Sequence, residues 1–210
     1  MNAIQTLQYE MLVKLDKVCH DHGLRYYLAY GTCIGAVREH GFISWDHDVD
    51  VLMPIEDARK LSEYQNEFGE RFFVSNYRTD KNFHNTNMRI IDRNNKWIVR
   101  QNGKVIEDGN VCMDIYPFYR CPPSRIGLLL NIWRSHIYKM LVIGPPVNHG
   151  KAARLISKVI LLFFSPKNRK RDLHYFERKL DYKGPYTEIA DYFGRDISFC
   201  SAITYKKEWF

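Results

Sequence analysis

The stretch that most constrains this chain is Asp46-His47-Asp48-Val49-Asp50-Val51-Leu52-Met53, closed by Pro54. If residues 48–53 form a strand, period-two geometry puts Asp48 and Asp50 on one face and Val49 and Val51 on the other. Two carboxylates side by side repel each other and are costly to desolvate unless a positive group lies between them. A divalent cation that also binds phosphate answers that need. A solvated strand end carrying acids is the plainer alternative. His47 reads as a proton carrier, a metal ligand or a solvent-facing residue, and it should lie opposite Asp48.

Upstream, residues 25–30 are rich in tyrosine and read as a buried strand. Gly31-Thr32 then turns the chain into a short helix ending near Glu39, with Thr32 as the expected N-cap. Gly35 and Ala36 keep that helix thin where something approaches closely. A strand-to-helix turn of this kind offers backbone N–H groups and a helix N-terminus to an anion. A phosphate cradle followed by same-face carboxylates is what phosphoryl or nucleotidyl transfer requires. Asp114, in the apolar frame 111–116, is the candidate third carboxylate, although a strand-end acid with a local hydrogen bond fits it equally. Arg38 and Arg89 are either phosphate-binding forks or surface salt-bridge residues.

Around this centre, apolar residues spaced three and four apart predict a helix over 4–22, with Gly23 as its stop. Residues 56–68 predict a second helix, 71–76 a strand and 79–87 a loop. Residues 87–92 and 96–100 predict a hairpin turning at 93–95. Residues 102–110 predict a further turn region, and 111–116 a strand closed by Pro117. Beyond Cys121-Pro122-Pro123 the pattern turns helical, over 126–143, 151–164, 172–180 and 187–193. The expected fold class is α+β, a mixed sheet core in residues 1–120 followed by a helical C-terminal region in 121–210.

The net charge of +7 suits a polyanionic partner such as nucleic acid, anionic lipid or a phosphorylated substrate. The densest basic run, Lys167 to Arg171, lacks the interleaved aromatic residues of a single-strand binder, and the acidic centre argues against nucleic acid. That run reads as a solvated loop or a membrane-surface contact. Five scattered cysteines without C-x-x-C spacing argue against a disulfide framework or a zinc site. No apolar run is long enough to span a bilayer, and residues 1–17 lack a signal-peptide layout, which predicts a cytoplasmic chain.

Residues 30–38 (YGTCIGAVR) and 41–50 (GFISWDHDVD) closely resemble the signature of the LicD family of phosphotransferases, usually G-T-L-L-G-A-V-R followed by G-F-I-P-W-D-D-D-I-D. Met88-Arg89-Ile90-Ile91-Asp92 resembles that family's A-K-I-R-D segment. Residues 111–117 (VCMDIYP) resemble its F-I-D-I-F-P strand. The resemblance implies a nucleotidyltransferase-like core and a site binding Mg²⁺ or Mn²⁺ through Asp48, Asp50 and Asp114, with Asp46 assisting. It implies Gly31 and Thr32 around the phosphates of a CDP-activated alcohol, aided by Arg38 and Arg89. Phosphocholine would pass from CDP-choline to a hydroxyl of a cell-surface glycan such as lipopolysaccharide, teichoic acid or capsule. Relatives use other donors, including CDP-ribitol. Such glycans are often lipid-linked, which fits a reaction at the inner face of the membrane, and residues 128–143 and 156–164 are apolar with basic flanks, the pattern of a membrane-surface contact or of the inner face of a helical half. Trp45, Tyr30 and Trp97 are candidates for a choline cage or, more simply, for core packing.

Three departures stand out. His47 replaces the family's middle aspartate, and Ile91 replaces an arginine. In similar proteins a P-K-E-W-F stretch is followed by several dozen residues that close over the site, whereas here Lys206-Lys207-Glu208-Trp209-Phe210 ends the sequence. The rival expectations are a nucleotidyltransferase that hands over a nucleoside monophosphate, and an inactive glycan- or partner-binding subunit.

Overall fold

In a computed structural model of the chain, described over residues 1–101, 104–145, 150–193 and 202–210, helices and strands mix in two compact units. The first comprises Met1–Thr79 and Asn87–Pro117, the second Asp80–Thr86 and Phe118–Phe210.

The first unit opens with α1 (Ala3–His22). Asn2 and Gln5 form a reciprocal capping box, and Gly23 takes the left-handed conformation (φ 62°) that ends the helix. Met11, Leu15 and Val18 give it a fully buried stripe. Five strands of the sheet run in the order β1-β2-β5-β4-β3, comprising β1 (Tyr27–Leu28), β2 (Asp50–Pro54), β3 (Phe72–Ser75), β4 (Met88–Gln101) and β5 (Lys104–Arg120). Between β1 and β2 lies α2 (Tyr30–Arg38); after β2 come α3 (Ile55–Leu61) and a kinked 3-10 segment, Ser62–Phe68, where one continuous helix was expected. Val49, Val51, Met53, Val74, Ile90, Met113 and Ile115 pack with the α1 stripe into one core.

Three expectations fail in the long β4–β5 pair. Arg93-Asn94-Asn95 is not a turn. It is an irregularity within β4, where the register with β5 shifts between Ile91 and Lys96. Fully buried Asp92 shapes it, accepting from the Asn94 N–H (2.8 Å), the Asn95 amide (2.8 Å) and the Arg71 guanidinium (2.8 and 3.0 Å). Residues 104–110, expected in a turn, are strand, and Gln101 pairs with Lys104. Pro117 does not close β5, which continues to Arg120.

In the second unit, α4 (Arg125–Ile143) is capped by Ser124, packs against α6 (Arg169–Leu180) and contacts α5 (Gly150–Leu161). The region is not wholly helical. Residues 187–193 supply β6 (Glu188–Asp191), which pairs with Tyr119 and Arg120 at the end of β5 and with β7 (Ile203–Lys206). Buried Ile189 and Ala190 find strand partners there, so tertiary pairing overrides a local pattern that reads as helix. Buried Asp181 anchors Arg120 through two hydrogen bonds, 3.0 and 2.7 Å. Arg169 is also used internally, donating to the carbonyls of Leu141, Val142 and Phe83. Among the described residues no helix is long and apolar enough to cross a membrane.

Candidate functional site

The acidic stretch enters the sheet where the alternation required. Val49 and Val51 are buried, Asp48 is exposed and Asp50 half-buried. The regular strand starts only at Asp50, but Val49 is already tied to β5, its carbonyl accepting from the Asp114 N–H at 2.9 Å. The backbone that separates Asp48 from Asp50 is therefore bonded to the residue carrying the third acid. All three carboxylates lie within electrostatic reach of Cys112, a half-buried side chain two positions before Asp114. Burial pushes that thiol up to about 11; the Arg89 guanidinium opposes the shift, and Asp114, Asp48 and Asp50 add to it.

Asp114 is already paired. Arg89 stands opposite it in the β4–β5 register and donates Nε to Oδ1 at 2.6 Å and Nη2 to Oδ2 at 3.3 Å. Burial works against the Arg89 charge, but hydrogen bonding to Asp114 and that acid's charge outweigh it, so its pKa is raised. The donor set is all oxygen, of the kind hard cations such as Mg²⁺ and Mn²⁺ take. As they lie, no three His, Cys, Asp or Glu side chains among the described residues are grouped to hold an ion, and Arg89 covers both Asp114 oxygens.

Beside these acids is a cavity of about 370 Å³. Thr32, His40, Asp46 and Asp48 are among its polar lining, beside Gly31, and Leu12, Leu28, Phe42 and Ile43 among its apolar lining. Thr32 is not the N-cap. Ala29 holds that position and makes no side-chain cap, while the Thr32 hydroxyl accepts from the Asp50 N–H at 2.9 Å. Ala29 N–H in turn donates to the Asp50 carbonyl at 3.0 Å. The first turn of α2 is thus fastened to the first residue of β2 from both sides. Tyr30 enters that turn with φ at 47°, an unusual conformation for a bulky residue, and packs edge-on against Tyr116. The Asp46 carboxylate lies against Gly31: a Cβ there would stand 2.2 Å from Asp46 Oδ2, so a side chain at this position would displace that carboxylate. Gly35 allows a second approach, from the chain's own loop: a Cβ would stand 2.6 Å from the Gly41 carbonyl oxygen.

Other expected site residues do not line the cavity. Arg38 is exposed at the end of α2. Trp45 is 78% exposed, so core packing is not its role. Trp97 does pack against the core, beside Gly109. His47 is exposed, its ring facing the Asn2 amide.

The residues that sequence reasoning missed are Gln5 and Gln8, both buried on α1. Gln5 Nε2 donates to the carbonyls of Ile43 (3.0 Å) and Asp46 (2.9 Å). Gln8 Nε2 donates to those of His47 (2.7 Å) and Cys112 (3.0 Å). Together they clamp the acidic loop and tie it to β5. A glutamine recurring among apolar positions was the available signal.

Residues 23–127 match the LicD/FKTN/FKRP nucleotidyltransferase-domain family. The chain belongs to the LicD family. It is 46% identical over 62 residues to the lipopolysaccharide cholinephosphotransferase LicD of Haemophilus influenzae, a stretch covering 27% of this chain and 23% of that protein. No solved structure matches it significantly.

Proposed function

We propose that this chain is a metal-dependent phosphotransferase that moves phosphocholine from CDP-choline to a hydroxyl of a cell-surface glycan, lipopolysaccharide foremost, on a nucleotidyltransferase-like core in residues 1–120. The observation that carries this reading is the tie between the Asp48–Asp50 stretch and the strand bearing Asp114, the Val49 carbonyl accepting from the Asp114 N–H at 2.9 Å, next to the cavity that Gly31, Thr32, Asp46 and Asp48 line. The name of the Haemophilus relative supports phosphocholine and lipopolysaccharide as first substrates to try.

Asp48 and Asp50 would hold Mg²⁺ or Mn²⁺, with Asp114 joining them once Arg89 turns from it toward substrate phosphate. Bound there, the cation would neutralise charge on the transferring phosphoryl group. Gly31 and Thr32 would set donor phosphate against the α2 N-terminus. In the transfer, the acceptor oxygen bonds to the phosphorus next to choline, the bond to the bridging oxygen breaks, and CMP leaves with that oxygen. Asp50 or Asp114 would take the hydroxyl proton. The reaction would run at the cytoplasmic face of the membrane if the acceptor glycan is lipid-linked.

Product analysis by phosphorus NMR tests the reading, using CDP-choline, Mg²⁺ and lipopolysaccharide lacking phosphocholine. CMP and a phosphocholine diester on the glycan are expected. A parallel reaction with CTP as donor separates the rival: no CMP from CDP-choline but pyrophosphate release from CTP would instead favour a nucleotidyltransferase, the reading that the family description also allows.

A further inference from the structure

Helix α5 is built inside out. Its small polar residue, Ser157, is buried, whereas Leu155, Ile156, Val159, Leu162 and Phe163, in the helix and the turn that follows, are all exposed; Leu162 and Phe163 reach 83%. At about 100° per residue these five side chains share an arc of about 120°. An ordinary surface helix turns such a stripe inward and its polar residues outward. A contiguous exposed stripe of large apolar residues marks a docking surface.

Its charge surroundings select the partner. Between Gly150 and Arg171 the sequence has seven basic residues and no acidic one. Arg154 and Lys158 are exposed on α5, and Lys167, Lys170 and Arg171 follow it. A second copy of this chain docked through the same face would bring the two basic segments together, and like charges oppose that interface. An anionic lipid surface accepts both features, taking the apolar stripe into the acyl boundary and the cations among its headgroups. We infer that α5 and the segment through Arg171 form a peripheral membrane anchor, lying in the plane of an anionic bilayer with Leu155, Ile156, Val159, Leu162 and Phe163 inserted. The inference does not rest on the proposed transferase activity.

Co-flotation of the full chain with vesicles tests it, comparing phosphatidylcholine alone with phosphatidylcholine–phosphatidylglycerol mixtures. The chain is expected to float with the anionic vesicles and to be released by salt. Leu162→Ser/Phe163→Ser, which alters only exposed side chains, should leave the thermal midpoint unchanged and lower partitioning at least tenfold. Lys158→Gln/Lys167→Gln should weaken binding to anionic vesicles and leave the weaker binding to neutral ones unchanged. Failure of the folded wild-type chain to bind anionic vesicles would overturn the inference, as would equal binding by the Leu162→Ser/Phe163→Ser variant. Sedimentation velocity adds a further refuting outcome: self-association abolished by that variant, without vesicle binding, would assign the stripe to a second copy.

Discussion

Replacing Gln8 with methionine isolates what the glutamine clamp does, because the two side chains are close in shape and the change opens no large cavity. The wild-type amide spends both its N–H groups on carbonyls of the site, His47 and Cys112, while its Oε1 is buried with no hydrogen-bond partner among the described residues. Losing two hydrogen bonds costs about 1 kcal/mol each. Removing an unpartnered buried oxygen returns part of that, which leaves a net loss of about 1.5 kcal/mol by the same reasoning. For a chain of this size, at about 2–4 °C per kcal/mol, the thermal midpoint should fall by about 3–6 °C. The functional consequence should exceed the stability loss, because the freed segment carries Asp46 and Asp48. Calorimetric titration with Mn²⁺ below the unfolding range should show weaker binding by Gln8→Met than by the wild type. An unchanged midpoint together with unchanged Mn²⁺ affinity would refute the idea that α1 positions the acidic loop.

Arg89→Gln should tighten divalent-cation binding about tenfold in the absence of nucleotide, since a charge-assisted pair of about 1.5–3 kcal/mol no longer competes for Asp114; unchanged or weaker affinity by calorimetry would contradict that competition. Gly35→Ala should lower stability by about 1–3 kcal/mol, because the new methyl meets backbone of the 41–43 segment; denaturant unfolding measures it, and an unchanged midpoint would mean that the loop yields freely. The pH dependence of folding follows from two paired acids. Burial alone would raise the Asp92 and Asp181 carboxyls, but hydrogen bonds from Arg71 and Asn95 to the first, and from Arg120 and Lys183 to the second, hold both below the usual range. Groups depressed in the folded state contribute stability fully above their unfolded pKa of about 4 and lose it as the pH falls through their folded values. Thermal midpoints should therefore drop steeply below about pH 4, and Asp181→Asn should flatten that acid limb.

The parts of this fold legible in the sequence were those with a local cause. The apolar spacing in α1 and its Gly23 stop are written within one segment, as is the alternation that separates Asp48 and Asp50 from Val49 and Val51. Gly35 was legible as a point of close approach, although only the structure shows that Gly41 and Ile43 approach it. What could not be read depended on distant partners. Asp92 turns Arg93-Asn94-Asn95 into a strand irregularity because Arg71 comes from β3's approach. Residues 188–191 become strand because the end of β5 offers an edge. The Gln8 clamp joins residues more than a hundred positions apart, and nothing in the sequence pairs Arg89 with Asp114 before the register of β4 and β5 is known.

Calorimetric titration with CDP-choline and CDP-ribitol, in Mg²⁺ and in EDTA, on the wild type and on Asp48→Ala/Asp50→Ala, tests most directly whether Asp48 and Asp50 bind a divalent cation together with a CDP-activated alcohol. CDP-choline binding is expected to need Mg²⁺ and to vanish in the variant. Binding that persists in EDTA or in the folded variant would contradict that expectation, as would a folded wild-type chain that takes up neither donor.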